Sequence, residues 1–175
     1  VCLYQGEELG LTEADLAFED LVDPYGIRFW PEFRGRDGCR TPMVWEADAP
    51  HAGFTAGRPW LPVPESHLTH AVDRQGGDGS VLAAYRRIIG FRRGQQALRT
   101  GDIVFLSSRR ELLAFLRTAG NETLLCVFNL GPTPDAFALP ADMSVEALHG
   151  HGFTGHLAGD HIALDPEEAF FGRVI

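Results

Sequence analysis

The hydrophobic and polar positions of this chain follow three different patterns from one end to the other. Residues 1–6, VCLYQG, form a short apolar run closed by glycine, which predicts a buried β-strand ending in a turn. Thr12 is placed to cap a short helix, which the turn signal DPYG at residues 23–26 would end. Residues 80–98 carry apolar side chains at helix spacing and predict an amphipathic helix.

Six short apolar segments follow Gly101, separated at fairly regular intervals by Gly, Pro, Asn and Asp. They cover residues 103–106, 112–117, 123–130, 136–139, 161–164 and 169–175. This spacing is typical of an antiparallel β-sandwich. We therefore predict two parts. Residues 1–100 hold a strand, a long loop and a helix, and residues 101–175 form a small all-β domain.

The long middle segment, residues 26–79, shows no sustained hydrophobic period and contains six prolines. It also contains all three tryptophans of the chain, Trp30, Trp45 and Trp60. Because disordered linkers are poor in aromatic residues, this composition predicts an ordered loop. Loops of this length inside a compact domain are usually functional.

A single strand–loop–helix unit cannot bury its own strand on both faces, so the first part needs neighbouring strands. In a (β/α)8 TIM barrel the loops after the strands form the active-site face and are the ones that grow long. We therefore predict that residues 1–100 are the last βα unit of such a barrel. A start within an apolar run, without Met, leads us to expect a piece of a longer chain.

Composition limits the partners of the chain. Acidic residues outnumber basic ones by 24 to 15, a formal charge of −9, which argues against binding to nucleic acid or to an anionic membrane. No segment approaches the ~20 apolar residues that span a bilayer. Cys2, Cys39 and Cys126 are far apart and show no metal-ligand spacing. Reduced thiols in a cytoplasmic protein, without a metal or cofactor, are the simplest interpretation.

Three segments carry recognisable motifs: YQGEELG at residues 4–10, RDGCRTPMVW at 36–45 and HAGF at 51–54. Together they resemble family 13 glycoside hydrolases, in particular the bacterial α-glucosidase and oligo-1,6-glucosidase branch. The segment YQGEELG at residues 4–10 resembles the end of the eighth barrel strand. The segment RDGCRTPMVW at 36–45, followed by HAGF at 51–54, is similar to the signature RD-x-x-RTPM-x-W … AGF. The helix after residue 80 resembles the eighth barrel helix, and the all-β tail resembles the C-terminal sandwich of the family.

The resemblance implies a retaining mechanism, in which one carboxylate attacks the anomeric carbon and a carboxylic acid protonates the leaving oxygen. In the family these groups, and a third stabilising Asp, follow barrel strands four, five and seven. All of them would lie upstream of residue 1, so we expect no catalytic residue in this chain. Glu7 and Glu8 are adjacent and would point to opposite faces of an extended segment, so we interpret them as loop anchors.

The resemblance assigns this piece a role in substrate binding. It implies that the guanidinium of Arg36 reaches the glucose at the cleavage subsite; the alternative is that Arg36 only ties down the loop. Tyr4, Gln5, Asp37 and His51 are further candidates for lining the site. Asp37 is expected to orient an arginine rather than contact sugar.

Two other functions stay open from the sequence. The chain could be a carbohydrate-binding β module with an N-terminal arm, or a non-catalytic relative that serves as a partner subunit. For the enzyme, the expected ligand is an oligosaccharide or another α-glucoside, and the missing barrel could be a separate chain. The sequence does not decide between α-1,4, α-1,6 and sucrose cleavage, or between hydrolysis, transfer and isomerisation.

Overall fold

A computed structural model describes residues 2–109 and 111–175 of the chain, apart from the side chains of Ser107 and Ser108. The chain divides into two compact units, an N-terminal unit of Val1–Tyr85 and a C-terminal unit of Arg86–Ile175. The division falls inside a helix, whereas the sequence places the domain boundary after residue 100. That boundary stays a prediction.

The N-terminal unit consists of short helical turns joined by ordered loops. Its α-helices are α1 (Pro24–Arg28), α2 (Glu65–Leu68) and the first residues of α3 (Val81–Gly94). Its 3-10 helices are Glu7–Leu9, Phe18–Asp20, Asp37–Cys39, Pro50–Gly53 and Val72–Arg74. The helix predicted after residue 80 is confirmed, and the long segment before it is ordered, as its composition indicates.

The strand predicted at the start of the chain is not formed by residues 2–6, and Val1 lies outside the described residues. Cys2, Leu3, Tyr4 and Gln5 are exposed and have no regular secondary structure. A strand needs a partner to accept and donate its backbone hydrogen bonds. The described part of the N-terminal unit supplies no strand, so this apolar run has nothing to pair with.

The helix predicted from Thr12 is also absent, because its residues bond to other segments instead. The Thr12 carbonyl oxygen lies 2.9 Å from the buried ring of His67, and the N–H of Ala14 donates to the carbonyl of Gly38. The expected turn at residues 23–26 begins α1 instead. Asp23 is its N-cap and accepts a hydrogen bond from Tyr25, with proline at the first helical position.

A buried glutamine holds the core of the N-terminal unit together. Gln75 donates from Nε2 to the carbonyls of Leu9 and His70, and its Oε1 accepts from the N–H of Leu82 at 3.0 Å. The apolar side chains around these bonds form one cluster: Leu9, Met43, Val44, Ala52, Ala71 and Leu82. One amide side chain therefore links the first 3-10 helix to the start of α3.

The tryptophans do not all serve as core of the loop. Trp30 packs against the second apolar cluster of the unit, which holds Leu16, Leu21 and Leu61. Trp45 and Trp60, in contrast, are 48 % and 59 % exposed. Of the three, Trp30 alone therefore contributes to an apolar cluster of the unit, while Trp45 and Trp60 are largely open to solvent.

The C-terminal unit contains eight strands among its described residues, in two antiparallel sheets. The strands are β1 (Asp102–Ser108), β2 (Leu112–Ala119), β3 (Glu122–Asn129), β4 (Asp135–Ala138), β5 (Val145–Ala147), β6 (His156–Ala158), β7 (His161–Leu164) and β8 (Ala169–Val174). One sheet has the order β1-β2-β3-β8-β5 and the other the order β4-β7-β6. All six predicted segments form strands, while β5 and β6 are additional.

Strand β3 is buried on both faces, which explains its unbroken apolar sequence. Leu125 and Val127 point into the core between the two sheets, where they meet Ile162 of the second sheet. Leu124 and Cys126 point to the opposite face of the strand, where they belong to the same apolar cluster as residues of α4 (Gln96–Thr100). Burial raises the pKa of the Cys126 thiol to about 12, so this cysteine is a packing residue.

The first strand of the larger sheet has a different environment. Strand β1 lies at the edge of that sheet and pairs only with β2. Three consecutive apolar side chains on it are open to solvent: Ile103, Val104 and Phe105 are 46 %, 58 % and 63 % exposed. Only one side of its backbone is bonded within the sheet.

A buried asparagine at the end of β3 ties two turns of the sandwich together. Asn129 donates from Nδ2 to the carbonyls of Thr133 and Asp165, at 2.8 and 2.9 Å, and its Oδ1 accepts from the N–H of Gly131. The side chain is only 1 % exposed. Every hydrogen-bonding atom of the amide is therefore used.

We predict that Asn129→Asp lowers the free energy of unfolding of the C-terminal unit by about 3 kcal/mol at neutral pH. The carboxylate keeps the shape of the amide but faces two carbonyl oxygens without a proton to donate. Far-ultraviolet circular dichroism during denaturant unfolding follows this unit, since all described strands belong to it. Asn121→Asp, at an exposed turn position, is the matched control and should change stability by less than about 0.5 kcal/mol.

Candidate functional site

The segment that carries the RD pair is held by a fully buried carboxylate. Asp37 is 0 % exposed and begins the 3-10 helix Asp37–Cys39. Its Oδ2 accepts hydrogen bonds from the backbone N–H groups of Val22 and Asp23, each 2.7 Å long. Its Oδ1 is buried without a hydrogen-bond partner among the described residues.

The side chain of Asp23 binds, in turn, to the segment that carries Asp37. Its Oδ2 accepts from the backbone N–H of Arg36 at 2.9 Å, and its Oδ1 accepts from Tyr25 at the start of α1. The guanidinium of Arg40 lies 3.9 Å from the same Oδ2. The N–H of Tyr25, the N–H of Arg36 and the charge of Arg40 lower the pKa of Asp23 below its ordinary value. We call Asp23 and Asp37, with the peptide groups they bind, the carboxylate clamp.

Two glycines leave the space that the carboxylate clamp needs. Gly35 has a φ of 74°, and a Cβ on it would stand 2.9 Å from the carboxyl carbon of Asp23. A Cβ on Gly38 would stand 2.4 Å from the carbonyl oxygen of Ala14. Neither contact is possible for a side-chain carbon, so glycine is required at both positions.

Arg36 combines a fixed backbone with a free side chain. Its N–H is bound by Asp23, and its carbonyl accepts from both the N–H and the thiol of Cys39. The side chain is exposed, and within residues 2–109 and 111–175 its guanidinium forms no hydrogen bond or ion pair. The backbone of Arg36 is therefore fixed, and its planar guanidinium, which carries several N–H donors, faces solvent.

Two of the other predicted site residues share a cleft. Tyr4 and Gln5 line a cleft of about 170 Å³ together with Cys39, Thr41 and His67. The hydroxyl of Tyr4 lies 4.0 Å from the Sγ of Cys39, three residues after Arg36. Neither Arg36 nor Asp37 is among the residues that line this cleft. Asp37 is buried beneath the surface, and its described contacts are with backbone groups rather than with an arginine side chain.

Glu7 and Glu8 lie beside this cleft and bond to the loop. They belong to a 3-10 helix, so the expectation of an extended segment is wrong. Glu7 accepts from the N–H of Tyr4 and from the hydroxyl of Tyr85, and Glu8 accepts from the N–H of Gly6. Both carboxylates hold the first turn of the chain in place.

His51 lies in a different place, within a strained turn. His51 and the next residue, Ala52, both have a φ of 52°, which is uncommon for residues other than glycine. The turn is held by the carbonyl of Ala52, which accepts from the N–H groups of Trp45 and Glu46. His51 lines a cavity of about 580 Å³ whose wall also includes Trp60. The cleft and this cavity share none of the predicted site residues.

His67 is a cleft residue that the sequence reasoning did not single out. Its side chain is 2 % exposed, its Nε2 bonds to the carbonyl of Thr12 at 2.9 Å, and its Nδ1 has no partner among the described residues. Burial lowers the pKa of His67. No spacing or motif in the sequence marks this histidine.

The histidines of the C-terminal unit do not converge on a site. His151 is buried; its Nε2 bonds to the carbonyl of Leu148, and its Nδ1 accepts from the N–H of Phe153. In the part of the chain that the structure describes, no three His, Cys, Asp or Glu side chains are grouped so that they could hold a metal ion. The same part contains no helix of sufficient length and apolarity for a membrane span.

Comparison with known proteins connects these features to a family. The model of the α-amylase catalytic domain matches residues 1–101. A probable α-glucosidase of Rhizobium meliloti (strain 1021) is 50 % identical over 99 % of this chain. An oligo-1,6-glucosidase of Bacillus cereus is 29 % identical over 95 % of it. These alignments cover 31 % and 34 % of the two relatives, so the chain spans about a third of their length.

Solved structures give the same result for the fold. The α-glucosyl transfer enzyme XgtA superposes with a TM-score of 0.91 at 46 % identity, over 99 % of this chain and 32 % of that one. The trehalulose synthase MutB from Pseudomonas mesoacidophila MX-45 superposes with a TM-score of 0.81 at 28 % identity, over 98 % of this chain and 35 % of that one. With a family match over more than half of its residues, this chain belongs to the α-amylase family of glycoside hydrolases, family 13.

Proposed function

We propose that this chain is part of a retaining α-glucosidase that hydrolyses terminal α-linked glucose from small oligosaccharides. In this proposal residues 1–100 are the last βα unit of a TIM barrel, and residues 101–175 are the C-terminal β domain. The chain supplies a substrate-binding loop and not the catalytic carboxylates. Exposed reduced thiols at Cys2 and Cys39 support a cytoplasmic location.

The observation that carries this proposal is the state of Arg36. Its backbone is fixed by the carboxylate clamp, while its guanidinium is exposed and unpaired among the described residues. A guanidinium presents several N–H donors in one plane, which suits paired hydrogen bonds to neighbouring sugar hydroxyls or to a carboxylate. A purely structural arginine would be expected to use these donors within the loop.

The chemical step is assigned to residues outside this chain. A retaining pair needs two carboxyl groups about 5 Å apart on either side of the glycosidic bond. Glu7, which lines the cleft together with Glu13, and its neighbour Glu8 already accept hydrogen bonds from Tyr4, Tyr85 and Gly6. The nucleophile would form a glucosyl-enzyme, and water would then release glucose with the second carboxyl group acting as base.

The isolated chain of 175 residues is predicted to release no glucose from an aryl α-glucoside, whereas the full-length enzyme releases it. Release of the coloured aryl alcohol, followed with time, measures the reaction. Turnover by the isolated chain that survives repeated purification would place the catalytic carboxylates within these residues and overturn this part of the proposal.

In the full-length enzyme, Arg36→Ala is predicted to lower kcat/KM for an α-glucoside by about 10- to 100-fold, the loss expected for charge-assisted hydrogen bonds. Arg34→Ala is the matched control, since Arg34 is also exposed but pairs with Asp15 and stacks on Trp30. The control should change kcat/KM by less than about twofold. Equal losses in both variants, or none in Arg36→Ala, would contradict a binding role for Arg36.

Glucosyl transfer is the second candidate, because the superposition with XgtA is extensive and that protein is described as an α-glucosyl transfer enzyme. The two functions share the glucosyl-enzyme and differ in the group that attacks it, water or the hydroxyl of an acceptor. The relative from Rhizobium meliloti, which is 50 % identical to this chain, is a probable α-glucosidase, and we favour hydrolysis for this reason.

With maltose as donor and an added acceptor alcohol, we expect free glucose to exceed the transfer product. Chromatography of the products over time gives the ratio. A transfer product that exceeds glucose at early times, before it is hydrolysed again, would replace hydrolysis by transfer as the function.

A further inference from the structure

We infer that Asp23 is a positioning residue for Arg36: its carboxylate fixes the backbone of this arginine and also attracts the charge of Arg40. This inference rests on the proposed binding role of Arg36. It adds a residue that lies 13 positions earlier in the chain, in the segment DPYG at residues 23–26.

The carboxylate clamp is reciprocal, which makes it stiff. The N–H of Asp23 is bound by Asp37, and the N–H of Arg36, the residue before Asp37, is bound by Asp23. Two segments that are far apart in sequence are therefore joined by bonds running in opposite directions. Sliding one segment along the other would break both bonds, so the position of the Arg36 backbone follows that of Asp23.

Asp23 interacts with two arginines in different ways, through the backbone of one and the charge of the other. Arg36 and Arg40 lie at the two ends of the short 3-10 helix, and both are exposed. Arg40 lies 3.9 Å from the Oδ2 of Asp23, which draws its charge toward the clamp. Arg36 contributes only its backbone N–H to that oxygen, so its guanidinium stays free.

The surroundings of Asp23 are arranged for an ionised carboxylate. The hydrogen bonds from Tyr25 and Arg36 hold its pKa below the ordinary value, so the group is charged at neutral pH. Its side chain is only 10 % exposed. Gly35 lies so close to this carboxyl group that a Cβ on residue 35 would collide with it. A neutral replacement cannot reproduce both acceptor positions.

Asp23→Asn in the full-length enzyme is the informative variant. An asparagine can still cap α1 through its Oδ1, but an amide nitrogen in the place of Oδ2 cannot accept from the N–H of Arg36. We expect kcat/KM for an α-glucoside to fall about tenfold, mostly through a higher KM, as expected when a binding group is displaced. The same variant should keep its cooperative thermal unfolding.

A double-mutant cycle with Arg36→Ala separates positioning from general loosening of the fold. If Asp23 acts through Arg36, then Asp23→Asn lowers kcat/KM in the wild type but not further in the Arg36→Ala background. If the double mutant lowers kcat/KM by the product of the two single-variant factors, the inference is overturned. It is also overturned if Asp23→Asn alone causes no loss. No loss in Arg36→Ala would overturn the proposed function first and this inference with it.

Asp15→Asn is the matched control. Asp15 and Arg34 form a surface ion pair between the segment that precedes Val22 and the segment that precedes Arg36, and both side chains are largely exposed. Removing an exposed pair should change kcat/KM by less than about twofold. A tenfold loss in this control would show that any change of charge in these segments disturbs the enzyme, and would also overturn the inference.

Discussion

Backbone groups that are not paired in a sheet must find other partners, and this constraint organises the whole N-terminal unit. Its described residues form no strand, so side chains bind the backbone groups that paired strands would otherwise bind. The carboxylate clamp of Asp23 and Asp37 binds four N–H groups from two segments, and Gln75 bridges three more backbone groups. The geometry of Arg36 is a result of this arrangement.

The C-terminal unit solves the same problem in the opposite way. Its backbone groups pair in two antiparallel sheets, and its side chains are left to fill the space between them. Asn129 is the exception, since it satisfies three backbone groups where the ladder ends at the turns. The two units therefore respond to different kinds of substitution: loss of a carboxylate oxygen in the first, and loss of apolar volume in the second.

Much of the fold could be predicted from the sequence, because hydrophobic period is a local signal. The unbroken apolar run of β3 and the apolar stripe of α3 can be seen without knowing any neighbour. Strands β5 and β6 could not, since they are three residues long and exist because β8 and β7 provide partners. The strand expected at residues 1–6 does not form over the described residues 2–6 for the converse reason: the apolar signal is present, but the described part of the N-terminal unit offers no partner strand.

The candidate site divides in the same way. Arg36, Tyr4 and Gln5 belong to motifs that resemble a family, and the sequence could mark them. The parts that hold them depend on contacts between distant residues: the return bond from Asp23, the clearance at Gly38 and the buried ring of His67. None of these has a spacing that could be recognised. His51 was marked by its motif, but only the backbone reveals that it is strained.

The edge strand β1 has a consequence for how the chain behaves in solution. Its outer backbone groups are unpaired within the sheet, and Ile103, Val104 and Phe105 are exposed beside them. Natural sheets usually protect such an edge with a charge, a proline or a bulge, since an open apolar edge is a template for another strand. The register shift between Phe105 and Ser107 interrupts the pairing with β2 only after these three residues. We therefore expect that, if chains self-associate at high concentration, they pair through this edge rather than through the interior of the sandwich.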